Sequence, residues 1–146
     1  MKSRTRARYV ALQALYELDV TEHPLGTVIQ ARLAEETLDD STAAFAEQIV
    51  QGVRSRVEAL DRFIAEHAPE WPLDQVAVID RNIIRIALWE FAVNDKTPVK
   101  VAINEAVELS KLFGSDSAPR FVNGVLGSLA ARRNEIRQAF ENITNQ

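Results

Sequence analysis

The chain has 146 residues, a net charge of −4 and no cysteine. That length amounts to about one domain and can bury a core without covalent staples. The missing thiols exclude disulfides and thiolate metal sites and fit a reducing cytoplasm. With 47% hydrophobic and 26% charged residues, the chain belongs with globular proteins and not with disordered ones.

Apolar residues Ala7, Val10, Ala11, Ala14, Leu15 and Leu18 recur at steps of three and four and predict a helix over 3–21. Its basic start leads into this periodic pattern, not into a continuous apolar run, so it is not a signal peptide. No run along the chain is long enough to span a membrane. Pro24 and Gly26 interrupt, and a short helix follows through Val28, Ile29 and Leu33. Asp39, Asp40, Ser41 and Thr42 offer N-cap oxygens. Beyond them Phe45, Ile49, Val53, Val57, Leu60 and Ile64 predict one long helix over about 42–67. Pro69 and Pro72 then break the chain. The expected organisation is a single domain with an N-terminal bundle of about 1–68 and a C-terminal bundle of about 73–141.

Residues 73–76 read as a loop or short helix. The next helix, over 79–93, is apolar nearly all round through Ile83, Ile84, Ile86, Leu88, Trp89 and Phe91, as a central helix should be. Glu90 falls near its buried arc and needs a partner, read here as an arginine or backbone donors. Thr97 and Pro98 read as N-cap and first residue of a helix that runs to Phe113, with Gly114 closing it. A loop over 115–119 leads to a last helix over about 120–140. No strand-like alternation persists, so the fold class is all-α with about seven helices.

Nothing in this pattern supports catalysis, a metal or a cofactor. His23 and His67 are the only histidines, and neither has metal-ligand spacing. Gly124 and Gly127 fall inside a helix with no preceding strand, so they read as close helix packing and not as a phosphate loop. The pairs Glu35-Glu36 and Asp39-Asp40 read as solvated faces or caps.

The first helix carries the functional signal. Lys2, Arg4, Arg6 and Arg8 all precede the first acid, Glu17. On a helical wheel Lys2, Arg6, Tyr9, Gln13 and Tyr16 form a stripe opposite the apolar arc, with Arg4 and Arg8 on its flank. Cations neutralise phosphates, tyrosine and guanidinium planes stack on bases, and Gln13 can read a base edge, a combination that suits single-stranded RNA. A solvated face is the plain alternative. Four cations at a helix N-terminus oppose its dipole, which argues against that alternative.

Four stretches, in order, resemble the NusB family of bacterial transcription antitermination factors: RTRARYVALQALY at 4–16, IDRNIIRIALWE at 79–90, VKVAINEAVELSK at 99–111 and RFVNGVL at 120–126. The resemblance spans almost the whole chain and is loosest over 22–75. It implies two small helical bundles packed roughly perpendicular. It also implies binding to boxA RNA, pairing with the ribosomal protein NusE, and a place in the RNA polymerase antitermination complex with other Nus factors, notably in ribosomal RNA operons.

Carried over by position, Arg4, Arg6 and Arg8 match the family's RNA-binding arginines, and Thr5 stands where some members have another. Phe121 matches an aromatic at the RNA surface, with core packing as its alternative. Lys100 and Lys111 share the outward face of their helix with Asn104 and Glu108 and could add phosphate contacts, with solvation as the equal alternative. Lys2, Gln13 and Tyr16 complete the RNA set. Asp80, with Asp74 and Ile84, is placed toward NusE. The loop over 115–119 departs from the commoner family spacing. Three rivals stay open: an accessory domain like that of some ribosomal RNA methyltransferases, whose catalytic part would need residues beyond 146; a protein-interaction module without an RNA role; and apolar surface that serves a homodimer instead of NusE.

Overall fold

The computed structural model describes residues 1–68 and 73–144, and every regular element among them is helical. Eight α-helices stand where about seven helices were expected, because two predicted helices are each broken once. The chain divides into two compact units, Met1–Ser55 and Arg56–Gln146. The boundary therefore lies before the proline segment that the sequence suggested, and residues 69–72 lie outside the described residues.

In the first unit, α1 (Ser3–Val20) lies against α2 (Leu25–Ala34) and α3 (Asp40–Ser55). Two packing partners explain why α1 buries more than one arc. Ala7, Val10, Ala11, Ala14, Leu15 and Leu18 are buried as expected, and so are Leu12 and Arg8. Arg54 of α3 donates to Asp19 of α1 at 2.6 Å. At the start of α3 the Asp39 carboxylate accepts the Thr42 amide at 2.8 Å, which fulfils the N-cap reading of this segment.

The second unit begins where the long predicted helix breaks. Arg56 leaves helical geometry (φ −125°, ψ 18°), and α4 (Val57–His67) starts afresh. Leu60, Phe63 and Ile64 are buried, and α4 lies against α5 (Val78–Leu88) and α7 (Ala118–Ala131). Arg85 of α5, almost fully buried, grips both carboxylate oxygens of Asp61 on α4 at 2.7 Å each. A two-pronged pair of this kind fixes geometry as well as charge. It ties α4 to the second unit. The Phe63 and Phe140 rings, 4.9 Å apart, add an apolar tie to α8 (Arg133–Thr144).

A 3-10 turn at Leu73–Gln75 precedes α5, and a π turn at Trp89–Asn94 continues it. The Asp95 amide closes that turn on the Glu90 carbonyl at 3.1 Å, and Asp95 itself adopts the left-handed conformation at φ 58°. Short polar residues tolerate this conformation better than most. Arg133 donates to the Phe91 carbonyl at 2.9 Å and to the Asp95 carboxylate, so the irregular turn keeps its polar groups satisfied.

Buried Glu90 has a hydroxyl among its partners: Thr97 donates to it at 2.9 Å. Thr97 is thereby drawn away from capping, and Pro98 becomes the N-cap of α6 (Val99–Phe113). At the other end of α6, Gly114 has φ −91° and is not left-handed. Space demands glycine there, since a Cβ would stand 2.4 Å from the Ala118 Cβ and 2.8 Å from the Ser110 carbonyl. Gly124 and Gly127 correct the reading of close packing: nothing lies within 4 Å of a Cβ built on either. The last predicted helix breaks at Arg132 into α7 and α8.

Candidate nucleic-acid interface

The accessible residues of α1 follow the stripe that the wheel predicts. Lys2 and Tyr16 are exposed, Arg6, Tyr9 and Gln13 are half-buried, and the next residue in step, Val20, is exposed as well. From Lys2 to Tyr16 the stripe runs roughly 21 Å at the rise of an α-helix. Gln13 donates to the Tyr9 hydroxyl at 3.3 Å through its amide nitrogen, so its amide oxygen is not used in this bond.

The four cations do not behave alike. Lys2 is open to solvent. Arg4 is exposed, yet its guanidinium lies over the Phe45 ring of α3, 4.1 Å from the centroid. Arg6 is partly exposed and donates to Glu36 at 2.6 Å. Arg8 corrects the expectation: it is only 4% exposed, with its guanidinium 5.4 Å from the same Phe45 centroid. Its flank on the wheel is the face that α1 turns toward a neighbour, so Arg8 braces the helix from within. Phe45 is itself buried. Stacking of this kind contributes about 0.5–1 kcal/mol for an exposed cation and about 2 kcal/mol for a desolvated one.

In the second unit Lys100, Asn104, Glu108 and Lys111 are all exposed on α6, as their spacing predicts. Lys111 donates to Glu108 at 3.0 Å, one turn away. Phe121 is half-exposed on α7, beside buried Val122, Val125, Leu126 and Leu129. That rim position leaves part of the ring accessible without removing it from the packing. Ser115, Asp116 and Ser117 of the preceding connection are exposed, and Ala118 is buried.

The partner-facing residues separate in the same way. Asp74 is exposed on the 3-10 turn. Ile84 corrects the reading: it is wholly buried in the apolar centre of α5, with Ile83 and Ile86, and presents no surface. Asp80 is 7% exposed, and its Oδ1 has no hydrogen-bond partner among the described residues. Burial pushes the Asp80 carboxyl above its usual range. The neighbouring Arg81 has a buried Nε in the same condition. Native proteins rarely leave such groups unsatisfied, and each one calls for a reason.

No helix among the described residues is long and apolar enough to cross a membrane, and no group of three or more metal-binding side chains occurs among them. The NusB family model matches residues 5–131. The transcription antitermination protein NusB of Chloroflexus aggregans is 45% identical over 140 residues, covering 94% of this chain and 93% of that protein. The protein of the same name from Bacillus subtilis is 45% identical over 129 residues, covering 88% and 95%. Among solved structures, T. maritima NusB matches with a TM-score of 0.77 at 27% identity over 92% of this chain and 90% of that one. A chain from the crystal structure of antitermination factors NusB and NusE in complex with dsRNA shares the fold at a TM-score of 0.79 and 24% identity, covering 95% and 98%. By the extent of the family match and the identity to these relatives, this chain belongs to the NusB family of transcription antitermination proteins.

Proposed function

We propose that this antitermination factor takes single-stranded boxA RNA on the accessible stripe of α1. Lys2, Arg4 and Arg6 neutralise phosphates, Gln13 reads a base edge and Tyr16 stacks. The observation that carries this reading is the arrangement of α1: cations and tyrosines share an accessible stripe in a chain whose net charge is negative. Arg8 serves this surface from below and does not touch the strand. Within the second unit, taken by itself, Lys100, Lys111 and the half-exposed ring of Phe121 are the proposed RNA contacts.

In the same reading the chain pairs with NusE and works in the cytoplasm with RNA polymerase and other Nus factors, promoting read-through in ribosomal RNA operons. It acts by binding and not by chemistry. Asp74 and Asp80 face NusE. A buried Oδ1 of Asp80 without a hydrogen-bond partner among the described residues suits a partner that brings a donor or a cation, because the partner then removes a cost already present in the free protein. The name shared by the relatives supports the function, and a chain of the same fold occurs in a complex with NusE and dsRNA.

The test is RNA binding by the wild-type chain with and without NusE. A short A/U-rich single strand, its scrambled version and a duplex serve as three arms. The expected result is weak binding of the A/U-rich strand alone and tighter binding with NusE. Equal binding of the scrambled strand would remove the sequence reading. Absence of RNA binding in both conditions would leave a protein-interaction module.

A further inference from the structure

The connection from α2 to α3 is acidic, with Glu35, Glu36, Asp39 and Asp40 in six residues. Three of these acids have local tasks. Glu35 accepts from Arg32 at 3.4 Å, one turn back. Asp39 caps α3 through the Thr42 amide. Asp40 stands in the first turn of α3, where a negative charge favours the helix dipole. Glu36 alone among the four reaches α1, where its Oε2 accepts from an Nη of Arg6 at 2.6 Å across 30 residues.

Arg6 is, with Lys2, one of the two cations on the α1 stripe. A carboxylate and a phosphate present the same chemistry to a guanidinium, namely anionic oxygens that accept a charge-assisted hydrogen bond. We propose that Glu36 is a built-in stand-in for an RNA phosphate, holding Arg6 in place and yielding it only to a strand that displaces it. This inference rests on the reading of α1 as the RNA surface.

The pair is well suited to displacement. Both side chains are partly exposed, 39% for Arg6 and 27% for Glu36, so water screens the pair and its strength is that of a surface ion pair. A ligand that meets Arg6 alone must replace one anionic partner by another and gains little. A strand that also meets Lys2, Arg4 and Tyr16 gains contacts that Glu36 does not contest. The stand-in thus favours strands over small anions.

The experiment is a double-mutant cycle read by RNA affinity at fixed salt, with a short single-stranded A/U-rich RNA as probe. The variants are Glu36→Gln, Arg6→Gln and the double variant. Glu36→Ala is included because a glutamine can still hydrogen-bond to Arg6. The expected result is tighter binding by about twofold to fivefold when Glu36 is replaced, the range of a surface ion pair, and no change when it is replaced in the Arg6→Gln background. Equal tightening in both backgrounds would overturn the proposal, since it would reflect only the removal of a negative charge. Unchanged or weaker binding of both Glu36 variants would overturn it as well. Wild-type affinity in Arg6→Gln itself would overturn the α1 reading, and the inference with it, so the two failures are told apart.

Discussion

The unequal burial of the four α1 cations has a measurable consequence in salt. A single strand that gives up counterions to Z cations shows log K falling against log salt with a slope of about −0.7Z. If all four cations met phosphates, α1 alone would give a slope near −3. Arg8 is buried over Phe45, which leaves Lys2, Arg4 and Arg6 and an α1 share of the slope of about −2, to which each of Lys100 and Lys111 would add about −0.7 if it met a phosphate. Arg6→Gln should reduce its magnitude by roughly 0.7 and leave the melting temperature almost unchanged, because a surface ion pair contributes at most about 1 kcal/mol. Arg8→Gln should do the reverse. It should keep the slope, measured well below the melting temperature, and lower stability by about 1–3 kcal/mol as a buried polar arrangement is lost. The assay is fluorescence anisotropy across a salt series, paired with thermal unfolding of each variant. If Arg8→Gln flattened the slope as much as Arg6→Gln and left the melting temperature intact, the division of roles drawn from burial would be refuted.

Three further outcomes are expected. Phe121→Ala should weaken RNA binding by about 1–3 kcal/mol if the accessible part of the ring stacks on a base; unchanged affinity with a lowered melting temperature would make Phe121 a packing residue only. Gly114→Ala should destabilise the protein by about 1–3 kcal/mol through overpacking, seen as a lower melting temperature, because the new Cβ would meet Ala118, the Ser110 carbonyl and Asp80. Asp80→Asn should raise stability at neutral pH. The Asp80 carboxyl is raised by burial, so the native state favours its protonated form. The ionised form begins to cost stability as pH climbs through the ordinary aspartate range and costs most above the raised value. The gain from asparagine should therefore be present at pH 7 and fade in acid, while pairing with NusE weakens; a gain that is constant with pH would rule out ionisation as its cause.

The helices were legible because apolar spacing survives in the sequence wherever one face is buried. The stops were legible only where the chain marks them with proline, glycine or a capping side chain, as at Asp39. Arg56 and Arg132 break helices with no such mark. Val53, Val57, Leu60 and Ile64 keep the helical rhythm straight across the first break, so periodicity alone joins α3 to α4. The pair that assigns α4 to the second unit, Asp61 with Arg85, lies 24 residues apart and carries no local signal. Thr97 shows the same limit. Its sequence neighbour Pro98 suggests a cap, whereas buried Glu90 outcompetes the helix for its hydroxyl.

At the candidate site the stripe itself was readable, since a wheel needs only residue order. The fate of each cation was not. A wheel assumes one buried arc, and α1 has two neighbours, so it misplaced Arg8 on an open flank. The carry-over by position placed Ile84 at an interface for a different reason: a motif match fixes residue order and not burial, and Ile84 is wholly buried. Glu36 was read as solvated because its partner is found only by folding α2 back along α1.

Phe45 carries a consequence for the rate and entropy of binding. It sits on α3 beneath the guanidinium groups of both Arg4 and Arg8, so the first turns of α1, which would fray in an isolated helix, are clamped at the end where the proposed strand lands. A protein surface ordered before contact loses little conformational freedom on binding, and each long side chain already held avoids about 0.5–1.5 kcal/mol of ordering cost. Most of the ordering then falls on the RNA. Association should be limited by how often the flexible strand presents the right conformation, and weakening the clamp, as in Phe45→Leu, should shift part of that cost back onto the protein.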